Sequence, residues 1–551
     1  MVDSKKAITA EELSADLRAI SVAEFFEKNR HLLGFDTLPR AMLTAVKEAV
    51  DNSLDACEDA NTLPEIFVQI QELGPTRFKM IVEDNGPGIV KDKVAPVFGK
   101  LLYGSKFQTF GGKQGRGQQG IGISAAVLYG QLTTGKPVRI ISKTKPKEQA
   151  TVIELKINIK TNDPEIVSQT TIDWPKERGT RVELELEAKY AEKKASVLEY
   201  IKETAVVNPH ATIIFVDPQG QKLEFKRVTD ILPKKSEKVK PHPHGIELGI
   251  LLRMLKETNT RALKSFLTEE FDKVGAGTAD EILRTAGLDP KIGPKFLTVE
   301  QADKLIKTMH GTKIMAPSTS SLSPIGADFL KKSLEAEYDL EFACSVTRPP
   351  AVYRGYSFII EAAVGYGGEL SKEEAVKLIR FANRVPLLYQ QGACGLTKAV
   401  TQVDWKNYGL QQSGQNLPVG SAIILLHIAS VWVPFTSESK DAVNPYPEIT
   451  KEAKLALQEC GRQLGLYVGR KQKKQIAAKK ADMFKLYGIE LAEALSSLTE
   501  KDQDKIQKEL NKLTEEMLKL GAIEEEEAKE TEEKAKPKRK LGAFKGDDKD
   551  D

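Results

Sequence analysis

The sequence predicts an α+β protein built from several domains, and three observations support this fold class. Alternating apolar residues predict strands on both sides of a segment near 240–310 whose apolar spacing is helical. A long helical pattern begins near residue 447. With 551 residues, the chain also exceeds the length that one hydrophobic core usually serves. We therefore expect a strand-rich first domain, a helical insert, a second α/β domain and a terminal helix.

The first domain, residues 1–235, is expected to be an α+β sandwich with an N-terminal strap. Two helices are expected within 12–60, on either side of the turn GFDTLP, and strands follow at IFVQI and FKMIV. Further strands are expected at VRIIS, TVIELKINI, RVELELE and TIIFV, with one helix near AEKKASVLEYIKE. This order favours helices that pack on one sheet.

The rest of the chain divides at changes in composition. The proline-bearing, charged stretch KKSEKVKPHPHG is typical of a linker, and four short helical patterns after it predict a helical domain at 236–312. The second α/β domain, 313–447, is expected to contain strands at FACSVTR, YSFIIEAAVGYGG, VPLLY and AIILLHIAS and a helix at SKEEAVKLIRFANR. A stalk helix at 448–490, a coiled-coil-like helix at 491–520 and a disordered charged tail at 521–551 complete the chain.

Composition excludes some classes of protein. No run of about 18 apolar residues could span a membrane. The first residues lack the apolar core of a secretory signal, and the four cysteines lack the spacing of a metal site or a disulfide framework. We therefore expect a cytoplasmic protein. The net charge of +3 does not by itself indicate a nucleic-acid partner.

Three polar residues share one stripe of the second predicted helix. Glu48, Asn52 and Asp55 are spaced i, i+4 and i+7, beside apolar positions that would enter a core. Alone, such a stripe is more often a solvated helix face than a site. An amide oxygen at Asn52 could nevertheless bind a magnesium ion whose other ligands are phosphates. A carboxylate at Glu48 could then act as a general base for an attacking water.

Glycine-rich motifs follow this helix in a fixed order. The stretch DNGPG begins at Asp84, whose carboxylate could accept a hydrogen bond from an adenine amino group. The stretch GRGQQGIG, beginning at Gly115, ends where a helix begins, and so offers backbone N–H groups and a helix N-terminus to a triphosphate. A Gly-Thr pair at Thr180 completes the order.

Together these motifs resemble the GHKL (Bergerat) ATPase family, which includes gyrase-like enzymes, Hsp90-like chaperones, histidine kinases and MutL. The resemblance implies ATP and Mg²⁺ as cofactors, Glu48 as the catalytic base, Asn52 as the magnesium ligand, and Asp84 and Thr180 near adenine. It also implies a set of further ATP-binding positions, most of them glycines and amides of a lid: Ser105, Lys106, Gly115, Arg116, Gly117, Gln118, Gln119, Gly120, Ile121 and Gly122.

A closer resemblance lies outside these motifs. The stretches SVAEFFEKNRHLLGFD, NRVPLLYQQGA and DWKNYGL resemble the B subunits of type IIB DNA topoisomerases (topoisomerase VI), over about residues 15–490. This implies a helix-two-turns-helix insert and a transducer domain similar to ribosomal S5 domain 2. It also implies that Lys406 reaches the γ-phosphate and assists catalysis. One departure is Asp51, where the family usually has Glu.

The resemblance implies an ATP-hydrolysing DNA topoisomerase of a prokaryotic, archaeal cell, associated with the nucleoid. Two B subunits would dimerise on ATP and drive one duplex through a double-strand break made by the A subunit, relaxing positive and negative supercoils and decatenating DNA. The stalk would contact the A subunit in an A2B2 heterotetramer. The alternative is a GHKL-type DNA-repair or chaperone clamp without a DNA-cleaving partner. A histidine kinase is disfavoured, because only His31 lies upstream as an acceptor.

A basic stretch of the stalk is the candidate contact for double-stranded DNA. Basic helices are common as solvated faces, so this interpretation and a solvated face both stay open. Phosphate contacts would bring no base specificity. The candidate residues are Lys471, Lys473, Lys474 and Lys485.

Overall fold

A computed structural model describes residues 14, 19–104, 112–117, 120–192, 195–437, 439–499 and 501–513. The chain forms two compact units, Met1–Leu464 and Gly465–Asp551, which are described separately. The expected N-terminal strap before residue 19 lies almost wholly outside the described residues, as does the charged tail after 513.

The first unit opens with α1 (Val22–Lys28) and α2 (Leu38–Asp59), as the sequence predicts. Ser21 caps α1 by accepting a hydrogen bond from the Glu24 N–H, and Pro39 lies in the first turn of α2, where its missing N–H costs nothing. The apolar face of α2 is buried in the core of the domain. Its polar stripe is therefore left to face a cavity.

Among the described residues, eight strands form the first sheet. They are β1 (Glu65–Gly74), β2 (Arg77–Glu83), β3 (Val138–Lys143), β4 (Ala150–Asn158), β5 (Asp163–Ile172), β6 (Gly179–Glu187), β7 (Thr212–Val216) and β8 (Lys222–Phe225). Their order in the sheet is β5-β4-β3-β6-β2-β1-β7-β8. The other helices of this domain are α3 (Lys91–Gly99), α4 (Gly122–Thr134) and α5 (Val197–Val207). The predicted strands β1–β4, β6 and β7 are confirmed, whereas β5, β8 and α3 were not expected.

The helical insert contains the four expected helices within the described chain: α6 (Leu248–Glu257), α7 (Leu263–Glu270), α8 (Ala276–Ala286) and α9 (Val299–Gly311). They enclose a small apolar core of their own. A capping box joins Thr298 and Gln301 at the start of α9, so the backbone N–H groups of these two residues both have a hydrogen-bond acceptor.

The second sheet contains six strands over the described residues. They are β9 (Phe342–Thr347), β10 (Ala351–Tyr353), β11 (Tyr356–Tyr366), β12 (Lys377–Ala382), β13 (Val385–Pro386) and β14 (Ala422–Ser430), and α10 (Ala327–Glu337) and α11 (Gly395–Thr401) accompany them. The sheet order is β10-β11-β14-β12-β13, with β9 paired to β11. The helix predicted at SKEEAVKLIRFANR is wrong. Its second half is β12, which pairs in parallel with β14 and buries Ile379 and Phe381.

A long helix, α12, spans Pro447–Thr499 and crosses from the first unit into the second at Gly465. It continues beyond the expected stalk end at 490, and a further helical stretch occupies 503–513. Among the described residues, no helix combines the length and apolar character needed to cross a membrane.

Candidate nucleotide-binding site

A cavity of about 370 Å³ lies in the first unit, and it collects residues from both α/β domains. The polar stripe of α2, the end of β2, the start of α4 and loops of the second domain line it. The sequence-predicted residues among its lining are Glu48, Asn52, Asp84, Gly117, Gly120, Ile121, Gly122 and Thr180.

Glu48 and Asn52 both line the cavity from α2, as their i, i+4 spacing predicts. Glu48 is half-buried and Asn52 is exposed. The Glu48 carboxylate lies against the first residue of α4, because a Cβ built on Gly122 would stand 1.7 Å from Glu48 Oε2. Only glycine leaves room for this carboxylate beside the helix N-terminus. The N-terminal dipole of α4 favours a negative group at this position.

Asp84 follows β2 and is held by three donors. Its Oδ1 accepts hydrogen bonds from the N–H groups of Gly86 at 2.9 Å and Thr180 at 3.1 Å, and its Oδ2 accepts one from Ser53 Oγ at 3.0 Å. Burial raises the pKa of this carboxyl, and the three donors oppose that rise. The side chain is thus fixed at the cavity wall with acceptor capacity on Oδ2 left for a ligand amine.

The close approach of β6 to Asp84 also requires glycine. Gly179 has a φ of +139°, and a Cβ there would stand 2.2 Å from the Asp84 carbonyl oxygen. This contact explains why glycine precedes Thr180 in the Gly-Thr pair.

The glycine-rich segment is only partly described, since Ser105, Lys106, Gln118 and Gln119 lie outside the described residues. Gly115 and Arg116 line a second cavity of about 350 Å³ and not the first. The Arg116 guanidinium lies 2.6 Å from Asp55 and 2.6 Å from Glu58. Its side chain is therefore committed to ion pairs, and a contact of Arg116 with phosphate would have to use its backbone.

The electrostatics of this ion-pair cluster are dominated by Arg116. Burial alone would raise the pKa of the Glu58 carboxyl, but Arg116 and a hydrogen bond with His210 hold that pKa well below its usual range. Glu58 is therefore ionised at neutral pH and neutralises a buried guanidinium.

The structure does not bring Lys406 to the cavity. This lysine is exposed on a 3₁₀ helix, Trp405–Tyr408, that begins at the cap residue Asp404. The lysine of the second domain that lines the cavity is Lys440, which is 9% exposed and donates from Nζ to the Arg116 carbonyl at 2.9 Å. The sequence did not indicate Lys440, because its loop lies more than 300 positions from the glycine-rich segment that it contacts.

Two charged residues, Lys47 and Asp51, lie close to Glu48 on α2, and of these the sequence did not indicate Lys47. Lys47 lines the cavity and donates to the Ser439 carbonyl at 3.4 Å, and burial lowers the pKa of its ammonium. Asp51 lies outside the cavity lining and accepts a hydrogen bond from Tyr200 Oη at 2.9 Å. Burial raises the pKa of Asp51 to about 6. The departure from glutamate at this position therefore concerns the core behind the site.

The candidate DNA contacts lie on α12. Lys473 and Lys474 are exposed and Lys471 is half-buried, whereas nothing is described of the Lys485 side chain. Their role stays a prediction. Among the described residues, no cluster of three or more His, Cys, Asp or Glu side chains could hold a metal ion. A magnesium ion at Asn52 would therefore depend on phosphate oxygens for most of its ligands, as expected for a nucleotide-borne ion.

Two family models match the chain. Residues 40–188 match the model described as histidine kinase-, DNA gyrase B- and HSP90-like ATPase, and residues 317–480 match topoisomerase VI B subunit, transducer. The first match contains Glu48, Asn52, Asp84 and Thr180, and the second contains both Lys406 and Lys440.

Three curated relatives, each named as the B subunit of type 2 DNA topoisomerase 6, are similar to most of the chain. The protein of Methanococcoides burtonii is 52% identical over 472 residues, which are 86% of this chain and 75% of the relative. That of Methanosarcina mazei is 50% identical over 494 residues, 90% of this chain and 79% of the relative. That of Archaeoglobus fulgidus is 52% identical over 462 residues, 84% of this chain and 76% of the relative.

Proposed function

The chain belongs to the family of B subunits of type 2 DNA topoisomerase 6, and we propose that its ATP site is the cavity that contains Glu48 and Asn52. The chain is the ATPase subunit of a type II DNA topoisomerase. The observation that carries the proposal is the convergence of a helix-borne carboxylate and amide, a buried aspartate and a lysine of the second domain on one cavity.

Each lining group has a task that its position supports. Asp84 accepts a hydrogen bond from the adenine amino group, since its carboxylate is fixed by Ser53, Gly86 and Thr180. The backbone of the glycine-rich segment and the N-terminus of α4 hold the phosphates by donating N–H groups. These contacts orient the triphosphate with its terminal phosphate toward Glu48.

Hydrolysis requires a base and a cation at the terminal phosphate. Glu48 orients the attacking water and accepts its proton, and its place against Gly122 puts it beside the phosphate-binding helix N-terminus. We assign the stabilisation of charge on the γ-phosphate to Lys440 and not to Lys406, because Lys440 lines the cavity. Lys440 would leave the Arg116 carbonyl to make this contact.

The residues present fit a magnesium ion carried by the nucleotide. Asn52 is exposed to the cavity, and its amide oxygen is a hard ligand of the kind magnesium accepts. When bound, the ion would neutralise charge on the phosphates.

We further propose that ATP drives dimerisation of two copies, and that an A-type subunit cleaves the DNA through which a second duplex passes. The A subunit would contact α12, and the assembly would be an A2B2 heterotetramer. Support comes from the family membership and from the long helix, whose exposed residues beyond Gly465 include many apolar side chains, among them Leu486, Tyr487 and Ile489. Lys471, Lys473, Lys474 and Lys485 remain the candidate contacts with DNA.

The test is co-purification of the full chain with an A-type subunit, followed by relaxation and decatenation of plasmid DNA with ATP and Mg²⁺. The complex should relax supercoils of both signs and separate linked circles, and a Glu48→Ala complex should do neither. ATP hydrolysis without co-purification and without strand passage would instead support a DNA-repair or chaperone-type clamp.

A further inference from the structure

The loop that carries Lys440 is closed by strand-like pairing at its base. Phe435 and Val443 form an antiparallel bridge, and the Thr436 N–H donates to the Ala442 carbonyl at 2.9 Å. Within the loop, the Lys440 N–H donates to the Ser437 carbonyl at 3.1 Å. The base of the loop is thus fixed to the second domain, and its tip extends to the cavity.

Lys440 itself has a strained backbone. Its φ is +56°, in the left-handed region that residues with a Cβ rarely adopt. Such a conformation persists only when the surrounding contacts determine it. The contacts on both sides of Lys440 are therefore the place to look for what holds it.

Both neighbours of Lys440 are bound by Arg40 of α2. The Asp441 side chain, 6% exposed, forms an ion pair with Arg40 Nη2 and accepts a hydrogen bond from Ser439 Oγ at 2.7 Å. Arg40 Nη2 also donates to Ser439 Oγ at 3.1 Å. The guanidinium is itself fixed by Asp36 at 3.1 Å and lies 4.9 Å from the ring centre of Tyr389.

Arg40 lies on the same helix as the proposed reacting groups, about two turns before Glu48. With about 3.6 residues per turn, Arg40 projects about 80° from Glu48 and about 120° from Asn52 around the helix axis, so it lies beside the cavity lining and not within it. One rigid helix therefore presents the proposed base, the proposed magnesium ligand and the anchor of the Lys440 loop.

We propose that Arg40 and Asp441 form a latch between the two α/β domains that positions Lys440 in the nucleotide cavity. The proposal rests on the proposed function, since it assumes that Lys440 acts on the γ-phosphate. Arg40 and Asp441 are positioning residues in this proposal. Asp441 also lines the cavity, but its carboxylate is bound by Arg40 and Ser439 and acts on the nucleotide through the Lys440 loop. Glu48 is carried by α2, and the Lys440 loop is anchored to the same helix through the Arg40–Asp441 ion pair. The latch therefore fixes the position of Lys440 relative to Glu48.

The test measures ATP turnover and nucleotide binding by the full chain, alone and with an A-type partner and plasmid DNA. Asp441→Asn removes the charge but leaves Arg40 paired with Asp36, so the fold should be retained, and thermal unfolding checks this. We expect kcat to fall by about 10- to 100-fold, the scale of a reacting group displaced by about 1 Å. The dissociation constant for a non-hydrolysable ATP analogue should change less than about threefold, because the adenine contacts at Asp84 are untouched.

The Lys440→Ala background separates positioning from a general structural role. If Asp441 acts through Lys440, Asp441→Asn should cause no further loss of kcat when Lys440 is already alanine. Asp441→Glu, which keeps the charge, should recover part of the rate. The matched control is Glu452→Gln, which breaks the 3.1 Å ion pair with Arg348 away from the cavity and should leave kcat unchanged.

Three results would overturn the latch. The first is a normal kcat for Asp441→Asn together with an impaired Lys440→Ala. The second is an equal loss from Asp441→Asn whether Lys440 is present or not, which would show a structural role. The third is full ATP turnover by Lys440→Ala, or no ATP turnover by the unmodified protein. Either of these would also refute the proposed function, which distinguishes them from the first two results.

Discussion

The contact between Glu48 and α4 allows a sharp test by adding a single methyl group. Gly122 is the first residue of α4, and its Cβ would stand 1.7 Å from Glu48 Oε2 and 2.4 Å from Cδ. Non-bonded heavy atoms need more than about 3 Å, so Gly122→Ala should displace the Glu48 carboxylate by more than about 1 Å. The obstacle is the end of a flexible side chain, so the fold can accommodate the methyl group.

The expected effect on turnover follows from that displacement. A misplacement of about 1 Å at a reacting group costs about 10²-fold in rate. Complete loss of general-base assistance would cost about 10²- to 10⁴-fold, which sets the upper limit. We therefore expect kcat of Gly122→Ala to fall by about 10²-fold. The melting temperature should change by only a few degrees, because alanine is the better helix former.

Steady-state ATP hydrolysis, analogue binding and thermal unfolding together measure this prediction. Gly277→Ala is the matched control, since Gly277 also lies in the first turn of a helix and its Cβ would meet no atom within 4 Å. The control should hydrolyse ATP at the normal rate. If Gly122→Ala also turns over within about twofold of the unmodified protein, Glu48 does not act from the position it occupies here.

Other substitutions test separate parts of the proposed mechanism and of the fold. Lys440→Ala should lower kcat by about 10²-fold in the hydrolysis assay, whereas Lys406→Ala should not, and the reverse result would restore the sequence-based assignment. The pKa of Asp51 is raised to about 6 in the folded protein, so ionisation of Asp51 destabilises the fold, and the free energy of unfolding falls as pH rises from about 4 to 6. Asp51→Asn should remove about 2–3 kcal/mol of that fall, as measured by denaturation at each pH. If the free energy of unfolding of both proteins changes equally over this pH range, the raised pKa of Asp51 is contradicted. Replacing Lys471, Lys473 and Lys474 of α12 by glutamine should weaken DNA binding and reduce the salt dependence of binding by nearly one counterion for each lost phosphate contact. An unchanged salt slope would indicate that these lysines form a solvated face.

Local spacing was enough to predict much of the site. Glu48 and Asn52 share a helix face whatever the rest of the fold does, and Asp84 follows a run of apolar residues that predicts a strand. The strands of the first sheet with one buried face were likewise predictable. By contrast, β5 is mostly exposed along its length, so its sequence carries no alternation of apolar and polar residues.

Tertiary contacts decided the rest. The stretch that forms β12 has apolar spacing compatible with a helix, and its pairing with β14 and the left-handed turn at Asn383 and Arg384 overrode that local preference. Lys440 could not be distinguished from other loop lysines by spacing, because its partner Arg116 is more than 300 positions away in sequence. Such a contact is a property of the folded domains and not of any local motif.

Hydrolysis by Glu48→Ala tests most directly the claim that this cavity is where ATP is bound and cleaved. Single-turnover rates should be measured beside equilibrium binding of a non-hydrolysable analogue. We predict a rate about 10²- to 10⁴-fold below that of the unmodified protein, with analogue affinity retained because Asn52, Asp84 and the glycine-rich segment are intact. A normal rate in Glu48→Ala, with the analogue still bound, would contradict the claim.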